Sequence, residues 1–156
     1  MTKEVWQKIS DEINLRIDAE PSLGPFLNSL IISQDDLQSA VASVLSSKLH
    51  SDALSAKDIK LFILDAFKSC DEIESKLEAD LIFFKEHDPA CKYYSTPLLF
   101  YKGFLGFATY RAAHCLWESE RHTMALFFQN RSSEVFGLDI HPAALIEGGV
   151  MIDHAT

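Results

Sequence analysis

Apolar residues recur every three or four positions along most of this chain, and the recurrence breaks at a few prolines, glycines and polar clusters. Val5, Trp6, Ile9, Ile13 and Ile17 are separated by acids and lysines, the spacing that lines one face of an α-helix, and Pro21 ends it. "LGPFLNSLIIS" predicts a short helix broken or started near Pro25. Leu37, Val41, Val44, Leu45 and Leu49 share the face of a third helix, with Asp35 or Ser33 expected as its N-cap. Ser55 stands three residues before Asp58, an aspartate version of the capping box, and Ile59, Phe62, Ile63, Ala66 and Phe67 follow at helical spacing. Ile73, Leu77, Leu81 and Phe84 predict another helix with an acidic first turn, ending near Asp88-Pro89.

From Ser95 to Glu120 the chain is apolar almost all round. This predicts one long helix, capped by Ser95 or Thr96 with Pro97 at its first position, that is either central to the fold or packed on another subunit. A last helix, "RHTMALFFQNRSSEVFG", closes at Gly137, a residue that tolerates a left-handed backbone.

After Gly137 the rule changes. Ile140, Ile146 and Ile152 are six residues apart, and Ala144, Val150 and Thr156 follow each by four. A six-residue period is the pattern of a parallel β-helix, with the isoleucines stacked inside and Pro142 and Gly148-Gly149 near the corners. Asp153, next to Ile152, then points outward by strand alternation, and His154 lies at a corner; Asp139 and His141 flank Ile140 in the same way. The predicted fold is mainly α: a helical amino-terminal domain over 1–137, then the first coil of a left-handed parallel β-helix over 138–156.

The 156 residues suffice for one ordinary domain, and 47% hydrophobic with 24% charged residues is globular composition. A net charge of -9 argues against nucleic-acid binding, which needs clustered Lys and Arg. No apolar run is long enough for a membrane span, and the charged amino terminus has no signal-peptide core. Cys70, Cys91 and Cys115 have no metal-type spacing, and their odd number argues against a disulfide framework, so a cytoplasmic setting is expected. The helical histidines His50, His87, His114 and His122 are expected to be solvated or partly buried without a task.

"DPACKYYSTPLLFYKGFLGFATYRAAHCLW" and "FQNRSSEVFGLDIHPAALIEGGVMIDHAT" strongly resemble serine O-acetyltransferase, and "KYYSTPLL", "YKGF" and "DIHPAA…MIDHAT" are the specific elements. The resemblance implies transfer of an acetyl group from the co-substrate acetyl-CoA to the L-serine hydroxyl in cysteine biosynthesis, with no cofactor or metal. It implies that His154 is the general base, that Asp139 is its carboxylate partner, and that Asp88 and Asp153 hold the substrate amino acid. It further implies a homo-oligomer, a dimer of trimers, and a cysteine synthase partner bound through a carboxyl-terminal tail that this sequence lacks. The family continues through further coils after "DHAT". The chain is therefore read as an amino-terminal part of such an enzyme; the alternative is a catalytically incompetent fragment serving only as a helical oligomerisation module.

Overall fold

In the computed structural model, residues 2–156 are described, Thr2 by its backbone alone. The helices are α1 (Thr2–Ala19), α2 (Gly24–Leu27) continued by a wider π turn (Asn28–Ile32), α3 (Leu37–Leu49), α4 (Ala56–Lys68), α5 (Ile73–His87), α6 (Ser95–Phe100), α7 (Lys102–Glu118) and α8 (His122–Phe136). One core runs through all of them, and every member of the predicted apolar stripe of α3 (Leu37, Val41, Val44, Leu45, Leu49) is fully buried. Ser55 caps α4 as expected, its hydroxyl accepting from the Asp58 amide at 3.1 Å. Gly137 closes α8 at φ 71°, donating to the Ser133 carbonyl at 3.1 Å.

Three local expectations are corrected. The N-cap of α3 is Asp36, not Asp35 or Ser33, and its carboxylate accepts from the Ser39 amide at 2.8 Å. The stretch 95–120 is two helices, because Tyr101 is extended (φ -95°, ψ 111°), and Pro97 is the third residue of α6 rather than the first. Neither Ser95 nor Thr96 caps α6. The Glu12 carboxylate does so from α1, accepting from the amides of Tyr94 (3.1 Å) and Ser95 (2.8 Å), while Arg16, one turn further on, donates to the hydroxyls of Ser95 (3.0 Å) and Thr96 (2.6 Å). A cap supplied by a distant helix leaves no mark in the local sequence.

The cysteines also depart from expectation: Cys70 and Cys115 form a disulfide with Cα atoms 5.8 Å apart, leaving Cys91 free and buried. The link between α4 and α5 packs against the second half of α7, so cysteines 45 residues apart in sequence meet.

Residues 138–156 lie along α7 as an extended segment, and no strand occurs among the described residues. A parallel strand needs a neighbour to accept and donate its backbone hydrogen bonds, and the segment finds side chains instead. Tyr110 donates its hydroxyl to the Ala144 carbonyl, His114 Nδ1 donates to the Pro142 carbonyl at 2.7 Å, and Arg111 donates to the carbonyls of Glu147 (2.9 Å) and Ile146 (3.4 Å). Arg111 also makes a two-pronged pair with Asp80 of α5, at 2.6 and 3.0 Å; the two side chains are 3% and 1% exposed. The same Asp80 accepts from the amides of Gly149 and Val150, each at 2.9 Å. Burial pushes the Asp80 carboxyl up, against the pull of Arg111 and the two amides.

Removal of Arg111 strands a buried carboxylate and frees two carbonyls of the segment at once. Arg111→Met is expected to cost about 3–5 kcal/mol of unfolding free energy, measured by urea denaturation.

Glu78 on α5 is 4% exposed, and its Oε2 has no hydrogen-bond partner among the described residues. Burial, reinforced by Glu74 and Glu4, raises its pKa. A carboxyl raised on folding takes up a proton, so its contribution to stability is fully present below the unfolded pKa of about 4.3 and is lost as pH rises through the folded value. Glu78→Gln is expected to flatten the stability profile above that pH and to be more stable than the parent at pH 7 by roughly 1 kcal/mol. Urea denaturation between pH 4 and 7 reads the difference.

Candidate functional site

The break at Tyr101 opens a cleft of about 440 Å³ between the end of α5, the start of α7 and residues 152–156. Asp88 enters from the end of α5, Tyr101 and Lys102 from the α6–α7 junction, and Asp153 and His154 from the carboxyl-terminal segment. Phe84, packed edge-on against Tyr101 and Phe104, closes the inner wall.

Each wall has a local cause. Asp88 terminates α5, its amide still donating to the Phe84 carbonyl at 2.9 Å, and one carboxylate oxygen accepts from the Ala90 amide at 2.9 Å. That turn fixes the carboxylate at the rim and leaves its other oxygen for a ligand. Gly103 permits the opposite wall to approach: a Cβ there would lie 1.8 Å from the Ile152 carbonyl oxygen. His154 and Ala155 both take a left-handed backbone (φ 60° and 53°), and the Ala155 amide donates back to the Asp153 carbonyl at 2.8 Å. Left-handed non-glycine residues are uncommon, and two in succession make a sharp turn that holds the imidazole in solvent at the cleft mouth.

The cleft carries an acidic field. Burial raises the pKa of the Tyr101 hydroxyl, with Asp88, Cys91 and Asp153 adding to the shift, and Lys102 is the cation among the cleft-lining residues. Asp153 Oδ1 lies 3.6 Å from His154 Nε2, with both side chains mostly exposed. Two carboxylates beside an imidazole suit a ligand that brings an ammonium group and a hydroxyl proton to be removed.

Of the four residues predicted as site members, the cleft gathers Asp88, Asp153 and His154. Asp139 is exposed outside the cleft lining and accepts from Gln129 Nε2 at 2.8 Å. The His154 turn nevertheless comes back beside it in the chain, since the Ala155 carbonyl oxygen lies 3.1 Å from where a Cβ on Gly137 would stand. Tyr101, Lys102 and Gly103 carry part of the family resemblance in "YKGF", but no site role is legible for them in sequence, because the helical period runs through them unbroken. His114, expected to be without a task, holds the Pro142 carbonyl. Asp80 and Arg111 did leave a signal, each being a charge set within an apolar stretch. No group of three or more His, Cys, Asp or Glu able to hold a metal ion occurs among the described residues, and no helix among them is long and apolar enough to cross a membrane.

The sequence profile of the family described as serine acetyltransferase, N-terminal, matches residues 5–109. Serine acetyltransferase 4 of Arabidopsis thaliana is 40% identical over 152 residues, 97% of this chain and 43% of that protein. A solved serine acetyltransferase in complex with CoA superposes with a TM-score of 0.97 at 38% identity, covering all of this chain and 66% of the other. The soybean serine acetyltransferase complexed with serine gives a TM-score of 0.94 at 40% identity, over 99% of this chain and 64% of the other. The chain spans about half the length of the curated relatives it matches, between 43% and 58% for the Arabidopsis and Haemophilus influenzae proteins. With a family profile over most of its helices and relatives aligned along nearly its whole length, the chain belongs to the serine acetyltransferase family.

Proposed function

We propose that this chain supplies the amino-acid-binding and general-base half of a serine O-acetyltransferase acting in cytoplasmic cysteine biosynthesis. The observation that carries the reading is the convergence of Asp88, Asp153 and His154 on one acidic cleft from two distant parts of the chain. The relatives solved with CoA and with serine support the choice of donor and acceptor.

In this reading Asp88 and Asp153 hold the L-serine ammonium, and His154 takes the hydroxyl proton as the oxygen attacks the acetyl-CoA thioester. Collapse of the tetrahedral intermediate releases CoA, whose thiolate receives the proton from the imidazolium, giving O-acetylserine. Asp139 pairs with the other ring nitrogen of His154 and stabilises the imidazolium; the return of the 153–155 turn to Gly137, two residues before Asp139, supports that pairing. Residues 138–156 are the opening coil of a left-handed parallel β-helix, a domain apart from the helical 1–137. Half-buried Ile140, Ile146 and Ile152 against exposed Asp139, His141, Asp153 and His154 support that in–out pattern. The enzyme so formed is a homo-oligomer of paired trimers, with cysteine synthase as partner.

Serine-dependent thiol release from acetyl-CoA tests the assignment. In a complete serine acetyltransferase that carries this segment, release is expected to fall by about 10²–10⁴-fold in His154→Ala; a variant as active as its parent refutes His154 as base. Gly103→Ala forces the Ile152 carbonyl away from α7 and is expected to lower the same rate by roughly 10²-fold while leaving the helical circular dichroism intact.

A second reading, a helical oligomerisation module without activity, is favoured by one feature. Leu15, Leu23, Tyr93 and Phe100, each between 45% and 61% exposed, line an apolar cleft of about 280 Å³ beside Arg16. Self-association without serine-dependent thiol release supports this second reading.

A further inference from the structure

We propose that the Cys70–Cys115 pair is a reversible thiol–disulfide site whose state sets how firmly residues 142–156 are held on the helical body. The inference is independent of the reaction assigned to the main cleft.

The bridge joins the two elements that grip the segment. Cys115 is on α7 beside His114, which holds the Pro142 carbonyl, and one turn after Arg111, which holds Ile146 and Glu147. Cys70 is in the link leading into α5, the helix that carries Asp80 and through it the amides of Gly149 and Val150. The start of α5 has no side-chain cap, since Glu72 makes no capping hydrogen bond. The covalent tie between Cys70 and Cys115 thus fixes the start of α5 against α7, and with it the spacing of Asp80 and Arg111. Beyond Val150 the segment has no such clamp before it forms the cleft wall at Ile152 to Thr156.

The bridge is reachable from one side. Both cysteines line a cleft of about 330 Å³ with Lys76, Arg111 and His114, but Cys70 is half-buried and Cys115 only 2% exposed, so Cys70 is the more open of the two. A small dithiol therefore attacks at Cys70. One of its thiolates forms a mixed disulfide with the Cys70 sulfur as the Cys70–Cys115 bond breaks, and Cys115 leaves as a thiolate that takes up a proton. The second thiolate of the reagent then displaces Cys70, which also leaves as a thiolate and is protonated; the reagent becomes its cyclic disulfide, and the protein gains two electrons and two protons. Cys91, buried and distant in sequence, plays no part.

The test uses the whole 156-residue chain with reduced or oxidised dithiothreitol as the probe. Alkylation under denaturing conditions, read by mass spectrometry, is expected to count one free thiol after the oxidised reagent and three after the reduced one. Hydrogen exchange of the Gly149 and Val150 amides is expected to speed up about tenfold or more on reduction, while α3 amides around Val44 change little. The melting temperature is expected to fall by roughly 5–15 °C. Cys115→Ser should match the reduced parent in exchange under both conditions; if that variant does not fold, the dithiothreitol titration of the parent decides alone. Three free thiols that never pair under the oxidised reagent overturn the proposal. So does a bridge whose reduction changes exchange uniformly or not at all, because that result describes a static staple.

Discussion

The architecture rests on one buried ion pair, Asp80 with Arg111, at 2.6 and 3.0 Å between α5 and α7. A buried pair by itself is weak evidence for stability, because desolvation of both charges offsets much of their attraction. Its importance here lies in what the remaining donors and acceptors do. Asp80 takes two amides and Arg111 gives to two carbonyls of residues 146–150, so the pair satisfies backbone groups that an irregular segment cannot satisfy internally. Tyr110 and His114 extend the row towards Ala144 and Pro142, and a single face of α7 thereby does for this segment what a neighbouring strand does in a sheet.

The cleft follows from that docking. Once residues 142–150 are fixed on α7, the next residues must pass Gly103, where only the absence of a side chain admits the Ile152 carbonyl. The chain then turns sharply at His154 and Ala155 in a backbone conformation that costs on the order of 1–3 kcal/mol per residue. Strain of this kind persists only where the surroundings determine it, and here it holds an imidazole opposite the Asp88 rim.

The helices were legible because their hydrogen bonds are local and their apolar faces repeat every three to four residues; Ser55 and Gly137 were readable as caps for the same reason. The break at Tyr101 was not legible, since the apolar pattern runs through it, nor was the cap of α6, which comes from Glu12 across the fold. Asp88, Asp153 and His154 were reached through family resemblance rather than periodicity. Cys70 and Cys115 mislead any count by parity, because their meeting depends on how the α4–α5 link lies on α7. Arg111 and Asp80 could have been found: a charge on an apolar helical face is costly unless it has a partner, and two such charges of opposite sign on adjacent helices imply each other.

Helix and hexapeptide segment differ in where their backbone partners come from, and that difference decides what controls the imidazole. A helix completes most of its hydrogen bonds within itself, so α5 and α7 need no neighbouring strand to satisfy their backbone. An irregular segment has no such internal ladder and must take its partners from its surroundings. Among the described residues, the segment after α8 takes its position from helices, through the Asp80–Arg111 pair, Tyr110, His114 and the gap at Gly103. The placement of His154 accordingly depends on the α5–α7 interface, and changes at Asp80, Tyr110, Arg111 or His114 act on the cleft without touching any residue that lines it.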